Sequence, residues 1–253
     1  VQDSDNHSCR KILIILCNPR SGSTWLSDAI RCHPGVEYMP YASVCRWLGL
    51  DFRRYPRELT DKGDAEYRIE CYPGLWGRIP HFSDKFDNNK VSDTFKNDFY
   101  CLEKIHPIFL NYDSEEFLSK IEILKTAGID VKMIYLVRDP INSINSFMSY
   151  QKRNPGWCTY VTADNILAYM EKTFSTIKYL FTRRTGLVVD YKDVYSDLPG
   201  VLKKTYRYLW PDMSPEQEFF SDNVADESLC LTSRSRRLKM TGTGFLGPVE
   251  GVH

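Results

Sequence analysis

The stretch Lys11-Ile-Leu-Ile-Ile-Leu-Cys17-Asn-Pro-Arg20-Ser-Gly-Ser-Thr-Trp25 decides the fold. Its first seven residues form a continuous apolar run bounded by Asn18-Pro19 and Gly22, the pattern of a strand buried on both faces of a parallel sheet. A helix should follow, halted near Pro34. At such a strand–turn–helix joint the backbone N–H groups around Ser21, Gly22 and Ser23 point toward one cluster of oxygens, and the helix dipole adds positive potential. Ser23 and Thr24 add hydroxyl donors, and Arg20 adds a full charge. The plain alternative is an ordinary joint, but Arg beside Gly, Ser and Thr favours a bound anion.

Val131 to Val137 is a second buried strand and Gly186 to Asp190 a shorter third. Between them, Asp113 can cap a helix from Ser114 to Ala127, with Glu116 at the capping-box position, Phe117, Ile121 and Leu124 on one face, and Gly128 as the stop. Leu167, Met170, Phe174, Ile177 and Phe181 recur at helical spacing, which predicts an amphipathic helix over Ala163 to Arg184 with that stripe in the core. Strands alternating with helices predict one α/β domain, a central mostly parallel sheet flanked by helices, with ligands beyond the carboxyl ends of the strands.

The 253 residues carry 33 Lys and Arg against 33 Asp and Glu, so there is no global footprint for nucleic acid, and anion binding must come from a local cluster. Residues 1–10 read as a flexible segment, 11–240 as the domain and 241–253 as a glycine-rich tail, with coil from Met240 onward. Residues 40–100, dense in mixed charge, read as an acceptor-side insertion, either a solvated surface segment or a loop over the site. Nothing in the sequence is long and apolar enough to span a membrane. The chain opens on Val1 without a signal-peptide pattern. The expectation is a cytoplasmic protein, with a lumenal catalytic domain cut from a membrane-anchored protein as the alternative. The eight cysteines show no zinc spacing and no Cys-x-x-Cys; buried thiols, as at Cys17 and Cys101, and disulfides both stay open.

A second anion motif follows the second strand, in Arg138-Asp-Pro-Ile-Asn-Ser-Ile-Asn-Ser146. Asp139 is a good N-cap and Pro140 suits the first helical position. Ser146 lies about 9 Å further along the axis and leans back toward the helix start, where Arg138 can reach the same anion.

The nucleotide P-loop, G-x-x-x-x-G-K-[ST], is the nearest general motif, and this loop departs from it: Cys17 replaces the first Gly and Ser23 the Lys. Arg20-Ser-Gly-Ser-Thr24 instead resembles the loop of the sulfotransferase family, which moves a sulfonate group from 3′-phosphoadenosine 5′-phosphosulfate (PAPS) to a hydroxyl or amine. The resemblance implies that Arg20, Ser21, Gly22, Ser23 and Thr24 hold the 5′-phosphosulfate and Trp25 the adenine. It implies a 3′-phosphate on Arg138 and Ser146, which keep the family's eight-residue spacing, and an adenine contact from Tyr191 in Val189-Asp-Tyr191-Lys-Asp193. It implies no metal. A late basic segment of one branch has only Arg236-Arg-Leu-Lys239 as a counterpart, and a solvated basic stretch reads equally well there.

Sulfuryl transfer needs a base for the acceptor's proton and cations where charge develops on the bridging oxygen. Lys104-Ile-His106-Pro107, at the end of an apparent strand, is similar to the family's Lys-Thr-His-Leu-Pro, in which the His is the base and the Lys touches the sulfonate. Glu37 stands near the position where other branches keep a glutamate; His81 and Glu70 are further candidates. The expected partner is a small-molecule or carbohydrate acceptor, which aromatics such as Tyr41, Trp47, Phe52, Tyr72, Trp76 and Phe82 would line. A P-loop kinase and a non-catalytic nucleotide-binding module are the competing readings.

Overall fold

A computed structural model describes residues 11–38, 98–107, 114–126, 128–156 and 161–241. The expectations for residues 1–10, 40–97 and 242–253, including Glu70, His81 and the acceptor-side aromatics, lie outside the described residues, as does the Asp113 cap.

The elements run β1 (Lys11–Cys17), α1 (Ser23–Ile30), β2 (Val36–Tyr38), β3 (Tyr100–Ile105), α2 (Ser114–Thr126), β4 (Asp130–Val137), α3 (Pro140–Arg153), α4 (Ile166–Arg183), β5 (Leu187–Asp190), α5 (Tyr191–Ser196), α6 (Leu198–Leu209) and α7 (Pro215–Thr241). The sheet has the order β2-β3-β1-β4-β5, and each pairing is parallel. The fold is therefore the expected α/β sandwich. β1 is central, with β3 and β4 reached by connections that leave in opposite directions, and the carboxyl end of β1 opens on the crevice where parallel sheets bind ligands.

Because strand side chains alternate between faces, β1 feeds two cores. Leu13, Ile15 and Cys17 pack with α1, α6 and α7, through residues such as Leu26, Leu202 and Val224. Ile12, Ile14 and Leu16 face the other way, against Phe117, Ile121 and Leu124 of α2 and Ile177 and Leu180 of α4. Burial on both sides explains why β1 reads as an unbroken apolar run.

Two expectations are corrected. The inner face of α4 is Ile166, Met170, Thr173, Ile177 and Leu180, whereas Leu167 is 67% and Phe181 45% exposed. The real stripe is rotated by about one residue, and Thr173 can enter it because its hydroxyl donates to the Tyr169 carbonyl at 3.0 Å. Met240 and Thr241 are helical rather than coil, and Arg236 to Lys239 lie inside α7, since the glycines begin only at 242. Of the cysteines left open between thiol and disulfide, Cys101 is disulfide-bonded and Cys17 and Cys32 are free.

Candidate active site

The loop after β1 has a backbone that few sequences accept. Arg20 has φ 67° and Gly22 φ 81°, both in the left-handed region, and Gly22 is the N-cap of α1 with no side chain closing the first turn. Its first-turn N–H groups are therefore not taken up by a cap, which is what an anion requires. The turn is braced by Ser21, whose N–H and hydroxyl both donate to the Asn18 carbonyl, at 3.3 and 2.7 Å.

Adjacent parallel strands end at the same edge, so three strands deliver side chains to this loop. Leu16 pairs with Ile105 and Cys17 with Leu136, which sets His106 and Arg138 on either side of it. Arg138 Nη1 donates to the Arg20 carbonyl at 2.6 Å, tying the two anion motifs together. Lys104 Nζ donates to the Thr24 hydroxyl at 2.9 Å.

The buried His106 places Nδ1 3.0 Å from the Cys17 carbonyl and 3.3 Å from Cys17 Sγ. A carbonyl can only accept, so Nδ1 carries the hydrogen and a neutral ring keeps Nε2 as its basic nitrogen. Burial pushes the Cys17 thiol up to about 11, so it stays protonated at neutral pH.

Tyr191 lies against both motifs. The Arg138 guanidinium sits 4.3 Å over its ring, and a Cβ at Gly22 would stand 2.5 Å from its Cε2. Trp25 packs against the core, with the exposed Tyr195 edge-on at 6.5 Å. Ser23 is buried and Ser146 half-buried on α3. Glu37 lies on β2 opposite Cys101, one strand further from the loop than His106.

Sequence reasoning missed Tyr150. The Arg20 guanidinium stacks 4.2 Å over its ring. Tyr150 follows Ser146 by four residues on α3, so Ser146 shares the face that meets the loop. Burial lowers the Arg20 pKa, and the nearby cations Arg153 and Arg138 push the same way. Arg20 Nε is buried without a hydrogen-bond partner among the described residues. A crowded set of cations, an unused donor and an open helix start fit a polyanionic group such as a phosphosulfate. Among the described residues no cluster of His, Cys, Asp and Glu could hold a metal ion, and no helix is long and apolar enough to cross a membrane.

A model of the sulfotransferase family matches residues 13–214. The chain belongs to the sulfotransferase family. Among solved structures, the sulfotransferase domain of the curacin biosynthetic pathway is similar in fold, with a TM-score of 0.50 and 17% identity, over 82% of this chain and 76% of that one. The sulfotransferase domain of a Synechococcus olefin synthase matches at TM-score 0.47 and 19% identity, over 91% and 94%. Mouse sulfotransferase SULT7A1, solved in complex with PAP, matches at TM-score 0.45 and 18% identity, over 87% and 64%. No curated protein matches the chain in sequence.

Proposed function

We propose that this sulfotransferase moves a sulfonate group from PAPS to a hydroxyl or amine of a small-molecule or glycan acceptor, without a metal. The observation that carries the reading is the 2.6 Å bond from Arg138 to the Arg20 carbonyl, because it makes one site of two anion motifs, as a nucleotide with phosphates at both ends requires. Arg20, Ser23, Thr24 and the N–H groups around Ser21 and Gly22 would hold the 5′-phosphosulfate, and Arg138 with Ser146 the 3′-phosphate. Trp25 and Tyr191 would flank the adenine. PAPS, when bound, supplies the activated sulfonate. His106 Nε2 takes the acceptor's proton, its ring oriented by the Cys17 carbonyl, while Lys104 and Arg20 offer cationic N–H donors where negative charge develops. Ser23 in place of a P-loop Lys speaks against a kinase.

The product nucleotide, adenosine 3′,5′-bisphosphate (PAP), should raise the melting temperature by mass action. ATP with magnesium should raise it less. A larger rise with ATP and magnesium would replace this reading with the kinase. Of the two compartments, the Cys101 disulfide supports the oxidising, lumenal one over the cytoplasm. Because Cys101 is buried, the check is alkylation of the protein unfolded in denaturant without reductant: Cys101 should stay unlabelled, and a labelled Cys101 would return the protein to a reducing compartment.

A further inference from the structure

Arg20 is held in an unusual way. Its backbone is in the left-handed region, its carbonyl is taken by Arg138, and among the described residues no carboxylate pairs with its guanidinium. What it does have is the face of Tyr150 at 4.2 Å. Arg138 is held in the same manner, on the face of Tyr191 at 4.3 Å.

The choice of partner has a chemical consequence. A carboxylate would occupy the N–H edge of the guanidinium and cancel its charge, so an incoming anion would have to displace it. An aromatic face contacts the flat side of the guanidinium, while all five N–H donors lie in the plane at its edge. Stacking therefore orients the cation and leaves both charge and donors for the anion. The buried Nε of Arg20, without a hydrogen-bond partner among the described residues, fits this arrangement. The need is acute here because Arg138 and Arg153 repel Arg20, and a free arginine would swing away toward water.

We propose that Tyr150 is a positioning residue: its ring holds the Arg20 guanidinium at the loop, charged and with its donor edge open, so that the anionic end of the nucleotide meets a preformed cation. Tyr191 meets the Arg138 guanidinium in the same face-on geometry. The proposal rests on the PAPS reading, and it assigns Tyr150 a task that neither strand-end motif contains. The ring face is the working part.

The test is calorimetric binding of PAP to the full chain, with melting temperatures to show that each variant is folded. Tyr150→Leu should weaken PAP about tenfold, the scale of a partly desolvated cation–π contact, whereas Tyr150→Phe should stay within about twofold of wild type. In an Arg20→Ala background, Tyr150→Leu should cost nothing further, since its whole effect runs through Arg20. If Tyr150→Leu does not fold, Tyr150→Met takes its place in the same cycle. Wild-type affinity in the Leu or Met variant overturns the proposal, as does an equal loss in Tyr150→Phe or an undiminished loss beside Arg20→Ala. A wild type that binds no PAP is a different failure, since it removes the PAPS reading, and the proposal falls with it.

Discussion

At the scale of single residues the site is decided by small geometric facts, and Gly22 is the sharpest of them. It needs glycine twice, for φ 81° and for the Tyr191 ring that stands where a Cβ would go. Gly22→Ala should therefore cost PAP affinity at least tenfold by calorimetry. The double variant Gly22→Ala/Tyr191→Ala, which removes the clash but keeps the backbone strain, should still bind PAP more weakly than Tyr191→Ala alone. Equal affinity in the two would mean that the ring alone demands glycine. His106 makes the opposite prediction, because the proposed reaction has its ring act on the acceptor's proton and not on the nucleotide. His106→Ala should lower turnover by ~10²–10⁴-fold while PAP still binds. Near-normal turnover, read by mass spectrometry of the sulfated product, would move the base to a carboxylate such as Glu37.

At the scale of elements, α3 is the part that turns a strand end into the proposed binding site. Asp139 caps it by accepting the Asn142 N–H at 2.8 Å, Pro140 opens it, and Ser146 and Tyr150 occupy successive turns of one face. Arg138, just ahead of it, donates to the Arg20 carbonyl and is free to meet a phosphate with its remaining donors. Arg138→Ala should then weaken PAP by more than the ~1.5–3 kcal/mol of one charged hydrogen bond. Adenosine 5′-monophosphate, which lacks the 3′-phosphate, should lose only about what the lost brace on Arg20 is worth, ~0.5–1.5 kcal/mol. Equal losses for the two nucleotides would mean that Arg138 serves the loop alone. The same elements show what a sequence can reveal. β1 and β4 were readable because burial on both faces writes a continuous apolar run, and the two loops because Gly, Ser, Arg and Pro sit at fixed offsets from those strands. The inner face of α4 was misread because Thr173 is buried through a bond to its own helix, which a hydrophobic pattern cannot register. β2 was unread, being three residues at the sheet edge. Tyr150 was unread because its partner lies 130 positions away, and only the fold joins them.

At the scale of the whole molecule, zero net charge coexists with a local crowd of cations, so the rest of the fold must supply the stability that the site spends. One place where it does so is His33, at the end of α1, which links three helices. Its ring stacks on Trp210 at 4.7 Å and meets Tyr206 at 4.6 Å and Phe220 at 5.8 Å. Its Nδ1 accepts the Gly35 N–H at 3.0 Å, and Nε2 lies 3.1 Å from the Ser221 hydroxyl. An Nδ1 that accepts has no hydrogen, so the neutral form is the one that fits, and burial lowers the pKa from 6.5 to about 3. Between those values the unfolded chain binds a proton that the native protein refuses. Stability is therefore fully present above pH 6.5 and falls as the pH drops toward 3, by up to about 1.4 kcal/mol per pH unit. Urea unfolding from pH 7 to pH 4 should show that slope in excess of what the carboxylates produce. His33→Gln, which cannot take up the proton, should be less stable at pH 7 because it loses the stacked ring, and its curve should be flatter between pH 6.5 and 4. A variant whose slope matches wild type throughout that window would show that His33 protonates within the fold, and the packed interface of α1, α6 and α7 would then have to open to admit the charge.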